Sequence, residues 1–471
     1  MTKNICTLIF ILGFAMLLQP VECSANAITV TNVSIAGVAG GTADIQFDIS
    51  WSNSWNLSWS DDGGLTTVTN WDAAWVFLKF KTASGTWRHG LLSTSGHTPT
   101  TGALIDIGSN GSGTNVGVFI RRSTQGSGPF QSQGMRLRWD FAQSSLGGTT
   151  DVDISVHAIE MVYIPSGPFA LGSGGSEGGH FYKHPTSSNP YYVTNENAIA
   201  VSWTVAGCLH VDTDSHTLPA AYPKGYAAFY CMKYEISQGQ YASFLNHLES
   251  GEADARYPNF FNSSRFTISV ASNQYSAAAP DRACNYLSVA DVSSYLDWAG
   301  LRPMTELEFE KVCRGTQLPE PNEFAWGTTT VIKPTGFSGV DGSGSETSLP
   351  ATANCNYGSA TNGPIRVGIF AEAGSSRQKA GAGYYGVMDL SGNVSELVVN
   401  ANNSVAFYVP THGDGVVGTP PDGWPSYLGF MRRGGSFSDA TTELCTSRRD
   451  TSSSSTRSST FGGRGVRTYQ P

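Results

Sequence analysis

Between Ile28 and about residue 155, apolar positions recur every second residue or in short unbroken runs, and Gly, Ser, Asn and Thr separate the runs. ITVTNVSIAG, ADIQFDISW, AAWVFLKFKT, VGVFIRRS, MRLRWDF and DVDISVHAIEMVYI each read as a strand, because a period of two sends alternate side chains to opposite faces of a pleated sheet. No helical period interrupts them, so an all-β sandwich is expected over residues 28–155. The pattern changes at Met161, where MVYIPSGPFALGSGGSEGG reads as a strand pair running into a glycine-rich loop. Little periodicity follows up to about Pro223.

Three short helices come next. Ser237 can cap a turn that puts Tyr241, Phe244, Leu245 and Leu248 on one face. Ser288 and Asp291 make a near capping box ahead of Val289, Val292, Tyr295 and Leu296, and Gly300 supplies the stop. Thr305 and Glu308 open the third, which carries Leu307, Phe309 and Val312 and ends at Gly315. Turns and short strands fill the rest. The fold class expected is therefore mixed: an N-terminal all-β sandwich followed by a loop-rich α+β domain over residues 160–471.

Composition narrows the function. The chain has 471 residues, of which 14% are charged and 54 are glycine, a usage that suits strands and turns better than long salt-bridged helices. A net charge of -9 with no Lys/Arg cluster argues against nucleic acid as a partner, since nothing would neutralise a phosphate backbone. Trp51, Trp55, Trp59, Trp71, Trp75 and Trp87 gather in the first unit; they read as sheet packing, with a carbohydrate-stacking platform as the alternative. Residues 1–27 have the form of a signal peptide: Lys3, the apolar run ICTLIFILGFAMLL and a small-x-small site at Ala25–Ala27. The run is short for a membrane span, so no stable membrane anchor is expected. The mature protein is expected to be secreted, periplasmic or at the cell surface. Six cysteines then remain, and in an oxidising compartment they lean towards disulfides, with 15 connectivities open.

MVYIPSGPFALGS, FYCMKYEISQGQYASFL, WAGLRPMTELEFEKVCRG, YGVMDLSGNVSEL, RRGGSF and GGRGVR follow one another in an order and spacing that resemble the formylglycine-generating enzymes, or sulfatase-modifying factors. The resemblance covers about residues 160–471. It implies a C-type-lectin-like fold with two main helices and a small twisted sheet. Enzymes of that family oxidise a cysteine of a client sulfatase to formylglycine with oxygen and Cu(I), held between two cysteines that follow Arg-Gly-Gly-Ser. Two soft thiolates are what selects Cu(I). Between Ser436 and Asp450 this chain has only Cys445, so copper is not expected. CTSR resembles a later family motif whose cysteine bonds to that of CRG, which implies a Cys313–Cys445 disulfide; two free buried thiols are the alternative. Where the family has Gly-Asn-x-Trp-Glu-Trp, this chain has Gly392-Asn-Val-Ser-Glu-Leu397, without the tryptophans.

The resemblance also implies calcium at Asp389, Gly392, Val394 and Glu396, and oxygen-rich, flexible coordination suits that ion. A second calcium site would start at Asn354 and the carbonyl of Cys355, although its downstream aspartate has no counterpart here. His180, His184, His210 and His216 with Cys208 suggest a zinc or iron site. Their glycine- and proline-containing setting and the lack of a His-Glu-x-x-His pattern favour ordinary loop histidines. The Ser/Thr/Arg-rich stretch from Ser438 to Arg464 lies, in the resembled fold, along the former active-site face. Ser436, Asp439, Arg448 and Arg449 are its candidate binding residues, suited to carboxylate, sulfate or sugar groups, with a solvated loop as the plain alternative. Two functions are compatible with these features. One is an exported, non-catalytic binding or structural module, stabilised by calcium, for a protein, peptide or glycan ligand. The other is a formylglycine-generating or other metal-dependent oxidase on the same fold.

Overall fold

The computed structural model describes residues 28–469 apart from 62–65, 84, 110–114, 145, 149, 373, 403–407, 418–422 and 451–454. The expected signal segment lies outside the described residues. Eight strands build the N-terminal unit: β1 (Thr29–Ala39), β2 (Thr42–Asp61), β3 (Thr66–Thr82), β4 (Arg88–Gly90), β5 (Ala103–Ser109), β6 (Asn115–Arg122), β7 (Gly126–Asp140) and β8 (Val152–Ile164). All their pairings are antiparallel. The first half of β2 lies between β1 and β7, and β3 lies between β8 and β6. The β2–β3 hairpin joins these two layers, and Phe47, Trp51, Val76, Phe80, Leu137 and Ile154 fill the apolar core between them. This is the expected sandwich. The six strands visible as apolar runs are all present, and β4 and β5 complete it.

The outer face of one layer is not solvated. Along β3, Ala74, Val76, Leu78 and Phe80 face the sandwich core, while Ala73, Trp75 and Phe77 belong to the core of the C-terminal domain. A strand buried on both faces reads as an unbroken apolar run, which is what AAWVFLKF is. β8 behaves likewise and passes from one unit into the other. Its residues 152–162 pair with β3, and Met161–Ile164 pair with the strand Phe229–Met232. From there the sheet continues through Gly465–Thr468 to Arg302–Pro303. The boundary expected at 155–160 therefore falls inside one strand, and the two units share a sheet.

Among the described residues five α-helices lie in the C-terminal domain: α1 (Gln238–Leu245), α2 (Ser250–Arg256), α3 (Val289–Trp298), α4 (Glu306–Arg314) and the single turn α5 (Arg377–Ala380). The predicted capping boxes at Ser288/Asp291 and Thr305/Glu308 are both formed, and Ser237 pairs with Gln240 in a third. No helix among the described residues is long and apolar enough to cross a membrane. Trp75, Arg467 and Lys79 are among the side chains that anchor the sandwich to this domain. Trp75 Nε1 donates to Ala299 O at 2.7 Å and Arg467 Nη2 to Gly108 O at 2.7 Å. Lys79 Nζ donates to Trp298 O at 2.7 Å, the last carbonyl of α3, where a cation is favoured by the helix dipole.

The helix α4 is the electrostatic centre of the fold. Glu306 receives both Arg433 (3.0 Å) and Arg449 (2.8 Å), Glu310 receives Arg433 (2.7 Å) and Arg314 (3.1 Å), and Glu308 receives Arg302 (2.6 Å). All these side chains are buried. Ions can stand there because each carboxylate meets a guanidinium fork in hydrogen-bonding geometry.

Candidate functional site

The stretch Arg432–Asp450 leaves the strand Phe430–Arg433 through Gly434 and Gly435, both at positive φ (78° and 64°). A Cβ on Gly434 would come within 2.6 Å of Glu396 Oε2 and 2.7 Å of Leu390 O, so the chain needs glycine to turn at that point. The turn buries Ser436, whose Oγ donates to Asp439 Oδ2 at 2.6 Å. A single 3₁₀ turn, Thr441–Glu443, then delivers Cys445 to the wall of a cleft of about 490 Å³. Glu177, Asn322, Glu443 and Arg448 also line that cleft.

Cys445 is 4% exposed, and its Sγ is directed to Asn322 O (3.5 Å) and Thr441 O (3.7 Å). Burial, then the carboxylates of Glu177 and Glu443, push its thiol up to about 12. It is thus a thiol, not a thiolate, at ordinary pH, and the thiolate is the form that attacks or binds metal. Cys355 packs in the same apolar cluster, donates to Ser391 O at 3.0 Å, and is raised well above the usual thiol range by burial. The expected Cys313–Cys445 disulfide is not formed. Both are free: Cys313 sits in a separate cluster with Cys231, Phe309 and Val312, whereas Cys445 packs with Phe324, Trp326 and Leu444.

The expected binding residues divide. Ser436 is buried in its turn, and Asp439 serves as its acceptor. Arg449 is a core residue: it holds Glu306, donates to Val211 O at 2.7 Å and stacks 4.4 Å above Phe181. Arg448 does line the cleft, and its Nε and Nη1 donors are engaged by Glu443 (2.8 Å), Gly178 O (3.1 Å) and Arg449 O (2.7 Å). The unfilled valence in the cleft is an acceptor that the sequence does not advertise. Glu177 receives Ser173 Oγ (2.5 Å) and Asn322 N (2.8 Å) on Oε1, while its buried Oε2 has no partner. Its only signal in the sequence is an acid set among glycines in GGSEGG.

The DLSGNVSE loop is equally committed. Asp389 Oδ2 accepts from Gly368 N at 2.7 Å, and Gly392 N donates to Gly434 O at 2.9 Å. Val394 N and the Asn393 amide donate to Glu235 at 2.9 and 2.6 Å. Arg464 donates to Glu396 Oε1 at 2.6 Å and to the Asp389 carbonyl at 3.3 Å. A buried guanidinium therefore lies between the two acidic residues implied as calcium ligands. The residues do not fit a calcium ion. Arg464 already meets the charge of Glu396, and Glu396 Oε2 is a buried carboxylate oxygen left without a partner, where calcium takes six to eight oxygens. Asn354, implied for a second site, spends its side chain on Ile332 N (2.8 Å) and Gln378 O (3.0 Å). His184 and His210 are 6.1 Å apart between ring centres, and among the described residues no three His, Cys, Asp or Glu side chains gather as a metal site.

Comparison with known proteins agrees with the arrangement of motifs. Residues 152–469 match the family profile of the sulfatase-modifying factor enzyme 1-like domain. No curated protein matches the chain. Among solved structures it is similar to PvdO from Pseudomonas aeruginosa, at 19% identity over 66% of this chain and 95% of that one, with a TM-score of 0.34. It is also similar to Treponema denticola variable protein 1, at 14% identity over 66% and 96%, with a TM-score of 0.34. Since the match to the family spans well over half of the chain, this protein belongs to the sulfatase-modifying factor enzyme 1-like domain family.

Proposed function

We propose that this protein is an exported, non-catalytic binding module of its family, with the cleft beside Cys445 as its ligand site. The observation that carries this reading is the state of that thiol. It stands on the cleft wall without a bonded sulfur partner, and it is held protonated by burial and two carboxylates. As a thiol it is a poor nucleophile, and as the one cysteine lining the cleft it lacks the second sulfur that a two-thiolate Cu(I) site takes. Export rests on the apolar N-terminal segment.

The cleft's chemistry then selects the ligand. Arg448 spends its Nε and Nη1 donors on Glu443, Gly178 O and Arg449 O, whereas Glu177 offers a buried, unpaired oxygen in a cleft also lined by Ser176, Thr441 and Thr442. A segment bearing an ammonium, guanidinium or other donor group satisfies that oxygen; an anionic group does not. The test uses the full chain with Cu(I), oxygen and a Cys-x-Pro-x-Arg peptide. No aldehyde is expected, and turnover would instead establish the oxidase reading. In parallel, the same chain is screened against peptide and glycan arrays. Capture of donor-rich ligands, abolished by Glu177→Gln, is the expected outcome.

A further inference from the structure

A second cavity of about 690 Å³ opens where β3 and β4 meet the ends of α1 and α3, the start of α2 and residues 414–417. It shares no lining residue with the Cys445 cleft, so a ligand bound in it is independent of the one proposed for that cleft. Its volume lies within the range of about 300–1,000 Å³ usual for small-molecule sites, which favour boundaries between folding units.

Its floor is closed by hydrogen bonds. Lys79 Nζ gives its three donors to Trp298 O (2.7 Å), Gly415 O (2.6 Å) and His89 Nδ1 (3.0 Å), and His89 Nε2 faces Val116 O at 2.6 Å. The walls are aromatic: Trp87 is half-buried with its ring centre 4.5 Å from that of His247, and Trp298 stands beside them. Two polar atoms of these walls are buried without a partner. His247 Nδ1 faces Ser243 O at 2.7 Å, which assigns the proton to Nδ1 and leaves Nε2 as an acceptor. Burial pulls this histidine down to about 4, so it stays a neutral acceptor at ordinary pH. The Trp298 indole N–H is a donor. Glu249, Glu252, Asp414 and Arg88 also line the cavity, and among the described residues none of the four enters an ion pair.

We infer that this cavity binds a saccharide, its ring face against Trp87 and its hydroxyls on the polar groups around it. Among the described residues no three His, Cys, Asp or Glu side chains gather as a metal site, so a bare cation is not the ligand the cavity favours. Charges of both signs leave a strongly charged ligand opposed by one of them. A hydroxyl both donates and accepts, which suits a wall that carries one unpartnered acceptor and one unpartnered donor on rings 5.9 Å apart. Trp87 comes from the sandwich and His247, Glu252 and Trp298 from the other unit, so the bound sugar would bridge the two.

The experiment titrates the full chain with glucose, galactose, mannose, N-acetylglucosamine and their β-linked disaccharides, reading tryptophan fluorescence, calorimetric heat and Tm. At least one sugar is expected to perturb the fluorescence and raise Tm, as a ligand of the native state must. Trp87→Ala should weaken it by roughly tenfold or more, Trp87→Phe and Glu252→Gln by less, and Glu177→Gln in the other cleft not at all. Should no sugar of the panel bind at millimolar concentration, or should binding survive both Trp87→Ala and Glu252→Gln in folded protein, the inference is overturned. Binding lost on Glu177→Gln would also overturn it, by placing the sugar in the other cleft.

Discussion

The two units of this protein differ in how much charge they bury beside their apolar cores. The sandwich core is made of Ile45, Phe47, Ile49, Val76, Phe80, Leu137 and Trp139, with hydrocarbon against hydrocarbon. The C-terminal domain buries Arg302, Arg314, Arg433, Arg449 and Arg464 against Glu306, Glu308, Glu310, Glu323 and Glu396. An apolar core answers to volume and forgives small losses; an ion network answers to pairing, and removing one member strands the others in a medium that cannot solvate them. A loop-rich domain with short strands has few backbone ladders to hold its chain. Guanidinium forks that reach across many loops take over that task, and α4 is where they converge.

The sharpest way to break this contrast is Glu306→Ala. It leaves Arg433 and Arg449 both short of a carboxylate and also frees the amide of Ala401. A loss of about 3–5 kcal/mol is expected in denaturant unfolding; a loss below ~1 kcal/mol would mean that the network is not what holds the domain. A smaller effect should appear with pH. Glu396 is pushed up to about 7, chiefly by burial and against the pull of Arg464. A carboxyl whose folded value exceeds its unfolded one binds protons more readily when native, so its contribution is present below about 4.5 and is lost as pH rises towards about 7. Melting curves between pH 5 and 7.5 should show the C-terminal transition falling with rising pH, with the slope reduced in Glu235→Gln, which removes a neighbouring charge.

Smaller again is Ile49→Val in the sandwich, expected to cost about 0.5–1.5 kcal/mol with no change of slope with pH. The smallest expected effect is none. Because Arg464 holds Glu396 and the Asp389 carbonyl, Tm in excess EGTA should equal Tm in millimolar calcium. A clear rise with calcium would show that the ion, not the guanidinium, organises this loop.

Much of this architecture is legible along the chain. The alternation in ADIQFDISW and MRLRWDF declares β2 and β7, and the boxes at Ser288 and Thr305 declare α3 and α4 within a residue. These are short-range signals, because a cap or a pleat is settled by residues within a turn of one another. The order of motifs declares the family for the same reason: each motif is local. The site was much less legible. CTSRRD looks like a solvated polar run, yet Arg449 lies in the core because its partner Glu306 is 143 positions away. GGRGVR contains Arg464, whose guanidinium joins Glu396 to the Asp389 carbonyl, and nothing in the string says so. The unbroken run in β3 does hint at burial on both faces, but it cannot say which unit supplies the second cover.

Taken alone, the amino-acid order determined the strands, the capped helices, the family and the shortage of thiols near Ser436, since each depends on neighbours in the chain or on a count. Folding decided which carboxylate met which guanidinium, that Cys313 and Cys445 lie in separate clusters as free thiols, and that Glu177 and Trp87 face open cavities. Those outcomes depend on distances through space, and electrostatic pairing, burial and sulfur–sulfur reach exist only once the chain has closed on itself.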